Sequence, residues 1–245
     1  MEHSVTNLKY RVRSDSGPVR SHNEDCYAVG EGSPDVPPGQ IFVVCDGRGG
    51  PNVGEVAARL AADTIIATYY AAEESDPTQA LLKAFQTASE QIYHQWGRTS
   101  TRVTAATALV IAEQLVIASA GDCRAYRFYD RQLELITTDH TFYSTLIQDG
   151  MLTRKDVQMY TSGITRLHAL GDEVDLKADV FQQVLQQGEG VLLCTDGLHD
   201  YVEDEEIEEI LATAPWEEAV DRFIDLVTER GGRDNATAIL IWREA

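Results

Sequence analysis

An α+β fold is predicted by the order of secondary-structure signals along the chain: strands, two long helices, more strands, two acidic helices and a closing strand. That order lacks the regular strand-helix alternation of a doubly wound sheet. Hydrophobic residues make up 43% of the 245 positions, which supplies a substantial core. No repeat, low-complexity tract or linker divides the sequence, so residues 1–245 are expected to form one domain.

Residues 8–13, 25–29 and 40–45 read as strands, the third because Ile41-Phe42-Val43-Val44-Cys45 is an unbroken apolar run of the type buried on both faces. The three prolines and three glycines of residues 30–39 mark a loop. Ala-rich sequence of helical period follows over 52–70, with Asn52 as N-cap and Val53, Val56, Ala57 and Leu60 on one face. Asp76-Pro77 opens a second helix to about residue 96, since proline suits the first helical turn. Residues 103–110, 114–120, 124–128 and 132–136 stand at hairpin spacing and predict a four-stranded antiparallel meander. The segment 141–171 is expected to be a flap-like appendage, with a short helix to residue 148 and another after residue 153. Strands at 175–181 and 191–194, acidic helices at 204–212 and 216–229, and a strand at 236–242 complete the chain.

Charge removes several classes of function. Twenty Lys and Arg against forty Asp and Glu give a formal net charge of −20, which repels the nucleic-acid backbone and anionic membrane alike. No stretch approaches the roughly 18 consecutive apolar residues of a membrane span, and residues 1–10 lack the apolar core of a signal peptide. A cytoplasmic monomer is the expectation. Cys26, Cys45, Cys123 and Cys194 show no Cys-x-x-Cys spacing, which argues against a zinc ribbon, a redox pair or a disulfide scaffold.

Where the acidic residues sit is more informative. Ile41-Phe42-Val43-Val44-Cys45-Asp46-Gly47 and Val191-Leu192-Leu193-Cys194-Thr195-Asp196-Gly197 share a form, a buried strand ending in Asp-Gly. A buried strand is a rigid platform, and the glycine permits a sharp turn that brings its carbonyl near a ligand; taken singly, each reads equally well as an Asp-Gly turn. Asn23-Glu24-Asp25, Gly121-Asp122 and Arg233-Asp234-Asn235 also stand at strand ends. Carboxylates from five segments meeting in one cleft require hard cations, which take oxygen ligands, so magnesium or manganese fits and zinc does not. There is no His-x-x-x-His spacing and no EF-hand rhythm.

In family order, Val19-Arg20-Ser21-His22-Asn23-Glu24-Asp25, Cys45-Asp46-Gly47-Arg48-Gly49-Gly50, Ala120-Gly121-Asp122-Cys123-Arg124-Ala125-Tyr126, Cys194-Thr195-Asp196-Gly197-Leu198 and Gly232-Arg233-Asp234-Asn235-Ala236-Thr237 resemble the protein phosphatase 2C family of metal-dependent serine/threonine phosphatases, in its compact bacterial form. Thr138-Asp139-His140, Thr165-Arg166 and Leu170-Gly171 add weaker matches. The resemblance implies an α/β/β/α sandwich of two mainly antiparallel sheets flanked by helices, with metals in a cleft at one end. It implies Asp46 as the carboxylate bridging two Mn2+ or Mg2+ ions, Gly47 as a carbonyl ligand, Asp196 and Asp234 as ligands of the second ion, and Asp122 as a ligand of a third, weaker one. Glu24 and Asp25 match an acidic pair that mostly contacts metal-held water, and Arg20 matches the arginine that grips substrate phosphate. Arg20 and Asp25 are therefore the catalytic candidates. The implied reaction is hydrolysis of phosphoserine and phosphothreonine by a water bridging two cations, which also offset charge at phosphorus. The implied substrates are phosphoproteins, those of a Hanks-type kinase or the kinase itself.

Three positions depart from the family. Arg48 stands where bacterial members have methionine and eukaryotic ones a histidine proposed as general acid; it is a candidate substrate contact, or an exposed loop arginine. The flap has Tyr160-Thr161 in place of His-Pro and carries two extra residues, Leu167 and His168. The four cysteines all neighbour candidate site residues, which small apolar packing explains and which oxidative inactivation of the site would also use. The acidic run 200–209 is read as a solvated helix start rather than a calcium site. The rival to catalysis is a pseudophosphatase that binds phosphoproteins; the presence of Asp46, Asp196 and Asp234 favours an enzyme.

Overall fold

A computed structural model describes residues 7–32, 38–50, 52–97, 99–152, 168–172 and 176–244. In chain order its strands are β1 (Leu8–Asp15), β2 (Asp25–Glu31), β3 (Gln40–Arg48), β4 (Arg102–Ile111), β5 (Gln114–Ala120), β6 (Arg124–Tyr129), β7 (Gln132–Leu135), β8 (Asp179–Val184), β9 (Gly190–Cys194) and β10 (Ala236–Arg243). The helices are α1 (Gly54–Tyr70), α2 (Pro77–Trp96), α3 (Phe142–Gln148), α4 (Asp196–His199), α5 (Asp204–Thr213) and α6 (Trp216–Glu229). One sheet runs β1-β10-β9-β6-β7 and the other β2-β3-β4-β5-β8, with every pairing antiparallel.

Alternation of side chains sorts the apolar residues into three layers. Phe42, Val44, Ala106, Ile117, Leu193 and Ile239 fill the space between the sheets. The outer face of the second sheet, through Val43, Cys45 and Leu109, packs on Ala57, Ala61, Ile65, Leu81 and Phe85 of α1 and α2. The outer face of the first, through Leu192, Cys194 and Leu240, packs on Ile207, Phe223 and Ile224 of α5 and α6. This is the α/β/β/α sandwich that the resemblance implies. Asp76 caps α2, accepting from Thr78 N at 2.9 Å, with Pro77 in the first turn, as the sequence predicts.

Four expectations need correction. The middle strands are not one meander: β5 pairs with β4 and β8, β6 with β7 and β9, so the chain crosses from one sheet to the other at Gly121-Asp122-Cys123. Hairpin spacing marks possible neighbours, but long-range partners decide the pairing. Asn52 is not the N-cap of α1; it has positive φ, and Val53 holds the cap position without a side-chain bond. Val56 is exposed, and the buried stripe is Ala57, Ala58, Ala61, Ala62, Ile65 and Tyr69, small residues that let α1 lie close to the sheet. The strand expected over 175–181 is β8, starting at Asp179, and the expected helix after residue 153 lies outside the described residues.

Candidate active site

The Asp-bearing strand ends meet at one end of the sandwich. Asp46 is near the end of β3, Asp196 opens α4 directly after β9, and Asp122 lies in the crossing between the sheets. Carboxylate oxygens of these three residues all lie within 4.8 Å of one another. Asp122 is buried and the other two are half-buried. Three like charges so close repel strongly, and an oxygen-only donor set is what hard divalent cations take; the residues fit Mn2+ or Mg2+ as expected.

Both Asp-Gly steps are essential to this meeting, for a reason other than the sharp turn expected. A Cβ on Gly47 would lie 2.1 Å from the Gly54 carbonyl oxygen, and one on Gly197 would lie 1.8 Å from the Asn235 carbonyl oxygen. Gly47 continues β3 and Gly197 lies in α4, so each glycine admits a neighbouring backbone rather than turning the chain.

Asp25 opens β2 directly opposite Asp46 in the ladder and is buried. Its Oδ2 accepts hydrogen bonds from Thr195 Oγ1 at 2.8 Å and Thr237 Oγ1 at 2.7 Å. Thr237 Oγ1 is 2.7 Å from Ser14 Oγ, which accepts from Asn23 Nδ2 at 2.8 Å, so a chain of polarised bonds ends on the carboxylate. Burial, and then the nearby charge of Asp46, push the Asp25 carboxyl well above the usual range, outweighing the two hydroxyls. The Glu24 carbonyl accepts from Gly47 N at 3.1 Å, and the Glu24 carboxylate lies against Gly54 at the start of α1, as does the Gly47 carbonyl oxygen.

Asp234 lies outside the three-carboxylate group. It is ion-paired at 2.9 Å with Arg20, whose Nε donates to the Arg233 carbonyl at 3.0 Å. Arg48 ends β3 and is exposed. In the expected flap, Thr141 caps α3, and Leu170 exchanges backbone bonds with Val103 of β4 at 2.8 and 3.1 Å. Tyr160-Thr161, Thr165-Arg166 and Leu167 lie outside the described residues, while His168 stands edge-on to His140, 5.8 Å between ring centroids.

Several supporting residues were not assigned from sequence. Asn235 accepts from Glu24 N at 2.8 Å and donates to the carbonyls of Ser16 and His22 at 3.0 and 2.9 Å, fastening the Arg20 loop to β10. His199 donates from Nε2 to the Asp122 carbonyl at 2.9 Å, and burial holds its imidazole below its ordinary pKa. The motif Thr138-Asp139-His140 clamps the crossing: Asp139 takes Arg124 in a fork at 2.9 and 2.6 Å, and His140 Nδ1 accepts from Gly121 N at 3.2 Å. A polar residue set on the strand next to each acid is the signal that would have found Thr195 and Thr237.

The sequence profile of protein phosphatase 2C matches residues 21–240. The chain belongs to the protein phosphatase 2C family. It is 32% identical over 241 residues to the serine/threonine phosphatase stp of Listeria monocytogenes, covering 95% of this chain and 94% of that one. It is 31% identical over 242 residues to the serine/threonine protein phosphatase PstP of Mycobacterium tuberculosis, of which it spans 44%. Among solved structures, Stp1 of Staphylococcus aureus superposes with a TM-score of 0.88 at 30% identity, covering 97% of this chain and 96% of that one. The catalytic domain of PstP in complex with two manganese ions superposes with a TM-score of 0.83 at 29% identity, covering 97% and 99%. As a protein phosphatase 2C member, the chain places Asp46, Asp122 and Asp196 together within the family fold.

Proposed function

We propose that this family member is a metal-dependent serine/threonine protein phosphatase that reverses the action of a Hanks-type kinase, as a single-domain cytoplasmic monomer. The observation that carries the reading is the convergence of Asp46, Asp122 and Asp196 within 4.8 Å in the family fold. Among the described residues no helix is long and apolar enough to cross a membrane.

Asp46, Asp122 and Asp196 would hold the cations, with Gly47, Glu24 and Asp234 as the remaining candidates. When bound, two cations lower the pKa of water to near neutrality and offset negative charge on the phosphoryl group. The chain's own part is positioning. Arg20 presents a planar fork suited to two phosphoryl oxygens; substrate takes it over from Asp234, freeing that carboxylate to turn toward the cleft. Asp25, steadied by Thr195 and Thr237, keeps its carboxyl fixed beside Asp46 and accepts protons from water in the cleft. The decisive assay is p-nitrophenyl phosphate and phosphopeptide turnover with Mn2+, with chelator, and with Asp46→Asn. Turnover requiring the ion and lost in the variant supports the reading; turnover indifferent to chelator removes it.

A further inference from the structure

The inner face of β3 and β4 continues past the carboxylates. Phe42, Val44 and Asp46 share that face of β3, and alternation puts Arg48 on it as well. On β4, Ala106, Ala108 and Val110 line the same face, so Thr104 and Arg102 extend it. The ladder sets Asp46 opposite Thr104 and Arg48 opposite Arg102. Two residues of strand rise, about 7 Å, separate this arginine rung from Asp46.

Two arginines directly opposite each other destabilise a sheet unless an anion lies between or beside them. Arg102 is satisfied by Asp172, and its Nη1 donates to the carbonyls of Thr99 and Thr101 at 3.2 and 2.6 Å. Arg48 is exposed and has no hydrogen bond or ion pair among the described residues. With Asp172 matched to Arg102, the rung keeps one positive charge without an ion-pair partner among the described residues, in a chain whose net charge is −20. An exposed cation at the rim of a site for phosphorylated protein is a place where a second anion on the substrate would rest.

We propose that Arg48 and Arg102 form a second anion subsite that selects phosphoproteins bearing another anionic group, a carboxylate or a second phosphoryl, two or three residues from the scissile one. This deepens the phosphatase reading and rests on it. Arg48 would supply a charge-assisted bond, and Arg102 would share its fork between Asp172 and the ligand.

The test is affinity of fluorescent peptides carrying a non-hydrolysable phosphonate in place of phosphoserine, measured by anisotropy with Mn2+ present. The peptides differ only in one flanking residue, Ala, Glu, Lys or a second phosphonate, moved through positions two and three on either side. The wild type should bind the Glu or diphosphonate peptide about fivefold more tightly than the Ala peptide, the upper range for a partly solvated pair, with the two arms separating carboxylate from phosphoryl preference. Half-molar salt should erase the difference. Arg48→Glu should reverse it in favour of Lys, and Arg48→Lys should restore part of it. Equal affinity for all flanks in the wild type, or an unchanged ratio in Arg48→Glu, overturns the subsite. Failure of the phosphatase reading is a different result: p-nitrophenyl phosphate is not hydrolysed although the affinity ratio persists.

Discussion

Replacing Asn235 by alanine unfastens the loop that carries Arg20 and Glu24 without touching a carboxylate. Asn235 is 4% exposed, and its side chain makes three hydrogen bonds, to Glu24 N and to the Ser16 and His22 carbonyls. At about 1 kcal/mol net each, all three are worth about 3 kcal/mol. His22 is exposed, so water replaces part of that one, and the expected loss is about 2 to 3 kcal/mol. With a urea m-value of about 3 kcal/mol/M for a chain of this size, the unfolding midpoint should fall by roughly 0.7 to 1 M. Asn235→Asp keeps an acceptor for Glu24 N and loses both donors, so it should fall between the two. Equilibrium urea unfolding followed by tryptophan fluorescence reads all three proteins. A midpoint for Asn235→Ala within about 0.2 M of wild type would mean that the loop is held by other contacts.

Mn2+ at about 100 times its dissociation constant should stabilise the protein by roughly 2.7 kcal/mol, or about 5 to 10 °C in thermal midpoint; Asp46→Asn should lose most of this shift in a calorimetric scan, and an undiminished shift would separate ion binding from that residue. The hydrogen bond from Arg230 holds the Glu206 carboxyl down at about 2, so the pair's contribution is present above the unfolded value of about 4.5 and is lost as pH falls toward 2. Because both side chains are 37% exposed, the stability gap between wild type and Arg230→Ala should stay under about 1 kcal/mol and close over that window in acid unfolding curves. Burial pushes the Cys26 thiol up to about 11 and raises the other three thiols as well. Iodoacetamide at pH 8 should accordingly label the native protein far more slowly than the urea-unfolded one, counted by mass spectrometry; fast native labelling would revive an oxidation-sensitive site. Gly197→Ala should fail to fold or bind Mn2+, since its Cβ would meet the fixed Asn235 carbonyl rather than a side chain that can move.

The strands that lead to Asp46 and Asp196 were legible because an apolar run followed by Asp-Gly is a local signal, although β3 runs on to Arg48 and Asp196 opens a helix. The reason for the glycines was not legible, since the backbones that crowd them come from Gly54 and Asn235, far along the chain. Asp122 was visible as a residue between strands, but its place in a crossing rather than a hairpin depends on β6 choosing β9 and β5 choosing β8. Thr195 and Thr237 pair with each other across the sheet, but their common partner Asp25 lies 170 and 212 residues away, so a polar residue near an acid marks them as candidates without showing which carboxylate they serve. Asp234 shows the opposite limit: the motif names it, but its ion pair with Arg20 depends on the folded structure. On α1, helical period marked the segment and misjudged the buried stripe, because four alanines rather than Val56 meet the sheet.

The carboxylate trio is anchored on both halves of the molecule, Asp46 on one sheet, Asp196 on the end of the other, and Asp122 on the strap that joins them. A captured ion would therefore act as a rivet through two plates whose inner faces are greasy, beside the hydrogen bonds that Asp25 already takes from Thr195 and Thr237. Stripping it should loosen the seam from that end first, so that amides of the second sheet's Asp46 rung exchange with deuterium early while those around Ile117 and Ile239 stay protected.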